Sequence, residues 1–301
     1  MRGDDPSRST HTRKPPHRRD MTNPRAKELI RDNLTIPTLP EIVQRVTMLM
    51  EDPGIGTAEI GQVLGEDAPL AAKVLRIANS SFYGLRERCL STEQAAGVLG
   101  LRVLKNVVTQ AAIIQKYEHL ADYPGFDIES IWRHSSMVAA ACSSIARRCK
   151  GNIDLTPEEF HVCGLLHDIG KVVMLDSLGE QYAAVFQAAK LNNEPLHHAE
   201  LRELGFNHTD VGSLIALHWS LPKAVANAIQ FHHGPREAVA EDPVVALVAN
   251  ANLVSHRIAD GHIEAAEQTL DEGTMEFLGI DPADVPALVA DILQTQRGAA
   301  A

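Results

Sequence analysis

Aromatic residues, cysteines and positive charge are all scarce in this sequence. Aromatic side chains make up 4% of the 301 residues, so aliphatic side chains must fill the core, as is usual for packed helices. The formal net charge is −11. Such acidity argues against a nucleic-acid-binding surface spread over the whole fold, although it is compatible with a local basic patch.

The four cysteines have neither CxxC nor metal-finger spacing; they are Cys89, Cys142, Cys149 and Cys163. We interpret them as free thiols in a reducing compartment. No apolar run reaches the ~18 residues needed to cross a bilayer, and the N-terminus lacks the apolar segment of a secretory signal. We therefore expect a cytoplasmic protein with no membrane partner.

Residues 1–28 combine Pro, Ser, Thr and Arg with few apolar side chains. Because so little apolar surface cannot offset the entropy of ordering, we predict a disordered basic tail. Its cations could contact an acidic partner, although a solvated tail is the simpler interpretation; they are Arg13, Lys14, Arg18 and Arg19. Met21 is an alternative start of the chain.

Apolar residues then recur at steps of three and four, and no alternating strand pattern appears. The prediction is an all-α protein of two packed helical bundles. We place the first bundle at residues 29–120, the second at 121–260, and a helical extension at 261–301. The small residues at 78–81 allow close packing or partner binding, and Asn79 could bond a helix end. Trp132 and Trp219 are expected in the core.

The segment from Thr156 to Leu175 is predicted to form one buried helix. Thr156 and Glu159 have the spacing of a capping box, and Pro157 suits the first helical position. His167 and Asp168 interrupt its apolar stripe, which is costly unless they are hydrogen-bonded, paired or bound to a metal. Since adjacent helical residues point about 100° apart, we expect their partners on other helices.

Four further histidines interrupt apolar helical faces or end helices; they are His134, His208, His232 and His233. Imidazole and carboxylate groups suit a first-row divalent metal, and two such ions can activate water for phosphoester cleavage. Lys171 could contact a phosphate or compensate the carboxylate. Six of the remaining histidines are interpreted as exposed and uninformative; they are His11, His17, His197, His198, His256 and His262.

His134 followed by the GLLHDIGK of residues 164–171 resembles the core of the HD-domain superfamily, and longer segments resemble its HDOD branch. The resemblance covers roughly residues 30–255 in order. Its segments are TIPTLPEIVQRV (35–46), LAAKVLRIANSSFYG (70–84), STEQAAGVLGLRVLKNVV (91–108), WRHS (132–135), HTDVGSLIALHWSLP (208–222) and IQFHH (229–233). Asp67-Ala68-Pro69 departs from the usual Asp-Pro, which should affect a helix start more than the fold.

The resemblance implies an HD-like second bundle and a divalent ion, with Mn, Fe, Mg and Zn as candidates. Its implied ligands are His134, His167, Asp168, His208, His232 and His233. Catalytic HD enzymes, including the HD-GYP cyclic-di-GMP phosphodiesterases, add a metal-binding Asp on a following helix. We expect Asn250 at that position, a neutral and weak ligand. No GYP motif follows His233.

Three functions stay open. HDOD domains are generally viewed as regulatory modules of bacterial signalling, so the first is a stand-alone module without hydrolase activity. Its expected partners are a response regulator, a histidine kinase or a cyclic-di-GMP enzyme. The second is a metal-dependent phosphohydrolase of phosphodiesters or nucleotides, with Lys171 positioning phosphate and Glu200 supplying the missing charge. The third is a scaffold or ligand sensor without metal.

Overall fold

The structure, a computed structural model, describes residues 24–299 except 53, 80–82, 84, 122, 125, 151–154, 235–241 and 271. Every regular element in these residues is a helix, and none is a β-strand. The all-α prediction is confirmed. Two hydrophobic cores organise the helices into two packed bundles.

The first bundle contains α2 (Glu41–Met50), α3 (Thr57–Gly65), α4 (Ala68–Ala78) and α5 (Thr92–Lys116). Ile60, Leu64 and Leu70 are fully buried between these helices. The Asp67 carboxylate accepts a hydrogen bond from the Leu70 amide at 3.0 Å, so the unusual Asp67-Ala68-Pro69 segment still caps α4.

Helix α5 is long and apolar enough to cross a membrane by length and composition. The prediction that no apolar segment reaches this length is therefore wrong. Leu104, Val107 and Val108 of this helix are nevertheless fully buried in the first core. Gly100 interrupts the helix with a φ of 75°. The apolar character of α5 thus matches its position as a core helix.

The second bundle holds the remaining helices of the described residues. They are α1 (Pro24–Asn33), α6 (Ile128–Arg148), α7 (Pro157–Leu166), α8 (Ile169–Leu178), α9 (Glu180–Leu191), α10 (Leu196–Leu204), α11 (His208–His218), α12 (Lys223–Phe231), α13 (Pro243–Ala259), α14 (Ile263–Glu267), α15 (Glu272–Leu278) and α16 (Val285–Ala299). Short 3₁₀ turns lie at Glu118–Leu120 and Pro282–Asp284. Helix α6 packs along α7, α13 and α16.

Both ends of the described chain belong to the second core. Helix α1 begins at Pro24, within the range predicted as a tail, and Ala26 is buried. Ala26 and Ile30 pack in the second core. Leu288 and Ile292 of α16 pack there too. Residues 1–23, including Arg13, Lys14, Arg18 and Arg19, lie outside the described residues.

The two bundles are in direct contact. The indole Nε1 of the buried Trp219 donates to the carbonyl oxygen of Pro37 at 2.6 Å, which ties α11 to the segment before α2. Arg102 of α5 lies 3.5 Å from the Glu159 carboxylate of α7. Trp132 is partly buried against the second core. The two tryptophans therefore have the packing role expected of them.

Two smaller predictions are also confirmed. The Asn79 side chain, at the end of α4, donates to the Cys89 carbonyl oxygen at 2.9 Å and accepts from the Cys89 amide at 2.8 Å. It thereby bonds backbone groups at a helix end, as predicted. All four cysteines are free thiols. Ser80 and Ser81 lie outside the described residues.

Candidate metal centre

The predicted single helix from Thr156 to Leu175 is in fact two helices, and the break falls at His167-Asp168. Thr156 does start α7 with a capping box: its hydroxyl accepts from the Glu159 amide at 3.3 Å, and the Glu159 carboxylate accepts from the Thr156 amide at 2.8 Å. Helix α7 ends at Leu166, and α8 begins at Ile169. The doublet therefore occupies the junction between two helices.

This break brings the two side chains of the doublet together. Nε2 of His167 lies 3.2 Å from Oδ2 of Asp168, and both residues are almost completely buried. We had expected adjacent residues to point apart, which holds only for a continuous helix. At Asp168 the backbone has φ −102° and ψ 12°, so the helix is not continuous and the two side chains no longer point apart.

The Asp168 carboxylate is the centre of the histidine cluster. Its Oδ1 faces Nε2 of His208 at 3.3 Å and Nε2 of His232 at 3.4 Å. Its Oδ2 lies 3.8 Å from Nε2 of His134 and 2.6 Å from Nζ of Lys171. Lys171 thus compensates the carboxylate, one of the two roles predicted for it.

All six predicted ligands come together in two groups that share Asp168. One group contains Asp168, His208, His232 and His233, and the other contains His134, His167 and Asp168. Within each group, ligand atoms lie within 4.8 Å of one another. The residues of each group would suit a metal ion, and Asp168 is common to both groups.

Hydrogen bonds fix the orientation of three buried imidazoles. Nδ1 of His167 contacts the Gly164 carbonyl oxygen at 2.6 Å, and Nδ1 of His232 contacts that of Ile229 at 3.0 Å. Nδ1 of His208 contacts the Glu200 carboxylate at 2.6 Å. Because these oxygens only accept, each Nδ1 carries a proton, which leaves the Nε2 lone pair directed at the centre.

These three Nε2 atoms and Oδ1 of Asp168 are buried without a hydrogen-bond partner among the described residues. Unpaired buried polar atoms are costly, and their convergence calls for an explanation. Imidazole nitrogens with a carboxylate oxygen are a suitable donor set for a first-row divalent ion. The residues present therefore fit a metal.

The protonation states of the clustered residues also suit metal binding. Burial lowers the pKa of His232 to about 3, and it lowers the pKa of His134 and His233 well below the usual value. Burial alone would raise the pKa of Asp168, but His167 and Lys171 hold it well below its usual value. Neutral imidazoles and an ionised carboxylate are the forms that bind metals.

Helix α13 brings an amide against this cluster, but not the expected one. Nε2 of His134 donates to Oδ1 of the buried Asn252 at 2.9 Å. Asn250 bonds the Ala246 carbonyl oxygen of its own helix at 2.8 Å, although it lines the same cavity. Asn252, and not the predicted Asn250, is therefore the asparagine of this helix that contacts a predicted ligand. His134 also differs from the other ligands, since its Nε2 already has a partner.

Glu200 lies close to the centre, as the phosphohydrolase alternative required. It contacts His208 at Nδ1, the ring nitrogen that faces away from Asp168. Its carboxylate accepts from Nδ1 and the backbone amide of His208, and from the Tyr182 hydroxyl at 2.6 Å. Glu200 is therefore positioned by α10 to act on a ligand.

Two histidines that we had interpreted as uninformative contact the cluster. The His256 ring lies 4.3 Å from the His134 ring, and the His197 ring stacks on His233 at 4.3 Å. His256 follows Asn252 by four residues, so both share one face of α13. That spacing could have identified His256. His198 and His262 are exposed, as predicted, and His11 and His17 lie outside the described residues.

A cavity of about 960 Å³ opens onto the cluster. His208, His232 and His233 form part of its wall. Three cationic side chains also line it, namely Lys171, Lys190 and Arg257. Nζ of Lys190 lies 4.7 Å from the ring centre of Phe186, another lining residue. The cavity can accommodate a small anionic molecule beside the metal ligands.

Comparison with known proteins agrees with this architecture. A family model of the HDOD domain matches residues 36–235. A crystallised HDOD domain protein of unknown function from Geobacter sulfurreducens is 26% identical, with a TM-score of 0.73 over 90% of this chain and 94% of that one. The fold is also shared with a candidate phosphohydrolase of Shewanella amazonensis SB2B, which is 22% identical, with a TM-score of 0.69 over 90% of this chain and 97% of that one.

An uncharacterised protein of Treponema pallidum (strain Nichols) is 26% identical over 261 residues. The match covers 86% of this chain and 49% of that protein. The chain thus spans about half the length of the curated relative that it matches.

Proposed function

Since this chain belongs to the HDOD domain family, we propose that it is a regulatory module of bacterial signal transduction that binds a divalent metal and does not hydrolyse phosphoesters. The contact between Asn252 and His134 carries this proposal. Catalytic HD enzymes are expected to have a metal-binding carboxylate from this helix. A neutral amide removes one negative charge from the site and is a weak ligand for a hard cation.

The metal would be held by Asp168 together with His134, His167, His208, His232 and His233. This imidazole-rich set favours Fe or Zn over Mn and Mg. A bound ion supplies Lewis acidity to water or to a phosphoryl oxygen. Lys171, 2.6 Å from Asp168, offsets the carboxylate charge in the same place.

The proposed partners are a response regulator, a histidine kinase or a cyclic-di-GMP enzyme in the cytoplasm. Family membership supports this choice, because a regulatory domain acts by binding other signalling proteins. A pull-down from the native cell, with the His167→Ala protein alongside, should recover such a signalling protein. Recovery by the wild-type protein but not by the variant would link the partner to the state of the cluster.

The metal and the absence of hydrolysis can be tested together. We expect elemental analysis of protein purified without chelators to find a first-row metal, and His167→Ala to lose it. Cyclic-di-GMP and nucleotides should remain intact when the metal-loaded protein is supplied with Mn²⁺. Hydrolysis by the wild-type protein that disappears in His167→Ala would overturn the regulatory proposal.

The cavity favours a second candidate, a metal-dependent phosphohydrolase. Lys171, Lys190 and Arg257 line the cavity together with the carboxylates of Glu194 and Asp260. The three cations would be available to pair with the phosphate of a phosphodiester or nucleotide. If this candidate is correct, Lys190→Ala should raise the KM for such a substrate, and His208→Ala should abolish turnover. No turnover in the Mn²⁺-loaded wild-type protein would exclude it for the substrates tested.

A further inference from the structure

Glu200 is a buried carboxylate that contacts one of the metal ligands. Its side chain is 0% exposed, and among the described residues no lysine or arginine forms an ion pair with it. One oxygen, Oε2, accepts from Nδ1 of His208 at 2.6 Å and from the His208 amide at 3.0 Å. The other, Oε1, accepts from the Tyr182 hydroxyl at 2.6 Å.

The buried charges around the cluster do not balance. Asp168 and Glu200 are two carboxylates, whereas Lys171 is the one lysine paired with either of them among the described residues. A buried carboxylate without a nearby cation is costly. The free face of His208, with Nε2 at 3.3 Å from Asp168, is where a cation would lie nearest to both carboxylates.

The contacts also fix the geometry of His208. A single carboxylate oxygen holds both the backbone amide and the ring Nδ1 of this residue, which directs Nε2 at Asp168. A carboxylate on the distal nitrogen makes a ligating imidazole more basic and sets its tautomer. Tyr182, itself fully buried, holds the second oxygen and so prevents the carboxylate from turning away.

We propose that Glu200 is a positioning residue of the metal site, which supplies through His208 the negative charge that Asn252 does not provide, with Tyr182 holding Glu200 in place. This inference rests on the metal binding proposed above. The Glu200 carboxylate would act on the ion through His208 and would not contact it directly. Glu200 contacts His208, whereas the Asn252 amide contacts His134.

Affinity for Mn²⁺ and Co²⁺ in chelator-buffered titrations tests the inference. Glu200→Gln keeps the size of the side chain and removes its charge, so we expect binding to weaken about 10- to 100-fold. Tyr182→Phe should weaken binding by a smaller factor. The visible spectrum of bound Co²⁺ should shift in Glu200→Gln, because the ligand field of His208 changes.

Glu194→Gln is the matched control. Glu194 lines the same cavity, but its ion pair is with Arg202 and not with a proposed ligand, so this variant should bind like the wild-type protein. Equal loss in both variants would mean that any carboxylate near the cavity has the same effect, and would overturn the specific role of Glu200.

The remaining outcomes separate this inference from the proposed function. If the wild-type protein binds Mn²⁺ and Glu200→Gln binds it equally well, the role of Glu200 is wrong and the metal site stands. If the wild-type protein binds neither ion, both proposals fail. Urea unfolding with a chelator compares the stability of metal-free Glu200→Gln with that of the wild-type protein. If Glu200 has a purely structural role, the variant is less stable but its folded form binds the metal with wild-type affinity. Should Glu200→Gln not fold, Tyr182→Phe releases the Glu200 carboxylate instead, and wild-type affinity in that variant would overturn the inference.

Discussion

Asn252 and His134 are joined by a hydrogen bond of 2.9 Å between Oδ1 and Nε2, which connects α13 to α6 across the centre. Nε2 of His134 thus has a hydrogen-bond partner, whereas Nε2 of His167, His208 and His232 has none among the described residues. The bond therefore makes His134 a conditional ligand, since its Nε2 must exchange the amide for an ion.

The first prediction concerns this amide. Asn252→Asp adds a negative charge beside His134, so we expect Mn²⁺ to bind about ten-fold more tightly, equivalent to about 1.4 kcal/mol. Isothermal titration of the metal-free protein measures the change. Asn250→Asp is the control, because that side chain bonds Ala246 and should give a smaller gain. A larger gain in Mn²⁺ affinity for Asn250→Asp than for Asn252→Asp would favour Asn250, the residue predicted from the sequence.

The second prediction concerns the crossing of α8 and α11. A Cβ atom at Gly170 would overlap the His208 carbonyl oxygen and lie 3.0 Å from the Gly212 amide nitrogen. Backbone atoms have little room to retreat, so Gly170→Ala should lower the free energy of unfolding by about 3 kcal/mol or more. Urea unfolding measures this. Gly97→Ala, where a Cβ meets nothing within 4 Å, should be stabilising by about 0.5 kcal/mol.

The third prediction concerns pH and the buried His161, which lies outside the cluster. Burial lowers its pKa to about 4. The unfolded chain takes up the proton near pH 6.5, and the folded chain resists it. Stability from this residue is therefore complete above pH 6.5 and falls as the pH drops towards 4, by about 3 kcal/mol at most.

Unfolding free energies of the wild-type protein and His161→Gln at pH 7.5 and pH 4.5 isolate this effect. The difference between the two proteins should be larger at pH 7.5, since only the wild-type protein loses the contribution on acidification. A difference that is independent of pH would contradict the prediction.

The fourth prediction concerns the start of α7. Thr156→Ala removes the hydroxyl that accepts from the Glu159 amide, at a cost of about 1 kcal/mol. Thr156→Ser keeps the hydroxyl and should be nearly neutral. Thermal unfolding compares the two. Metal affinity should not change in either variant, because the ligands lie beyond the other end of α7.

Sequence patterns predicted the members of the cluster because buried helices rarely carry imidazoles and carboxylates on their apolar faces. They also predicted the capping box at Thr156, which depends on local spacing. They did not predict the break at His167-Asp168. The apolar period continues through Ile169 and Val173, and the break depends on how α8 packs against α11.

The packing of α1 and the asparagine that contacts His134 also depend on distant parts of the chain. Whether Ala26 and Ile30 join the first or the second core is decided by contacts with distant helices. Asn250 and Asn252 point about 200° apart around α13, so the rotation of that helix against α6 decides which amide meets His134. His197 became recognisable only when its ring was found against His233.

The junction between α7 and α8 links ion affinity to the arrangement of helices. His167 closes one helix and Asp168 opens the next, so a shift of α7 against α8 changes the distance between two ligand atoms. Helix α7 also contacts the first bundle, through Glu159 and Arg102. If the proposed ion binds at this junction, a partner that displaces α7 would change the affinity for the ion, and the ion would change the affinity for that partner by the same factor.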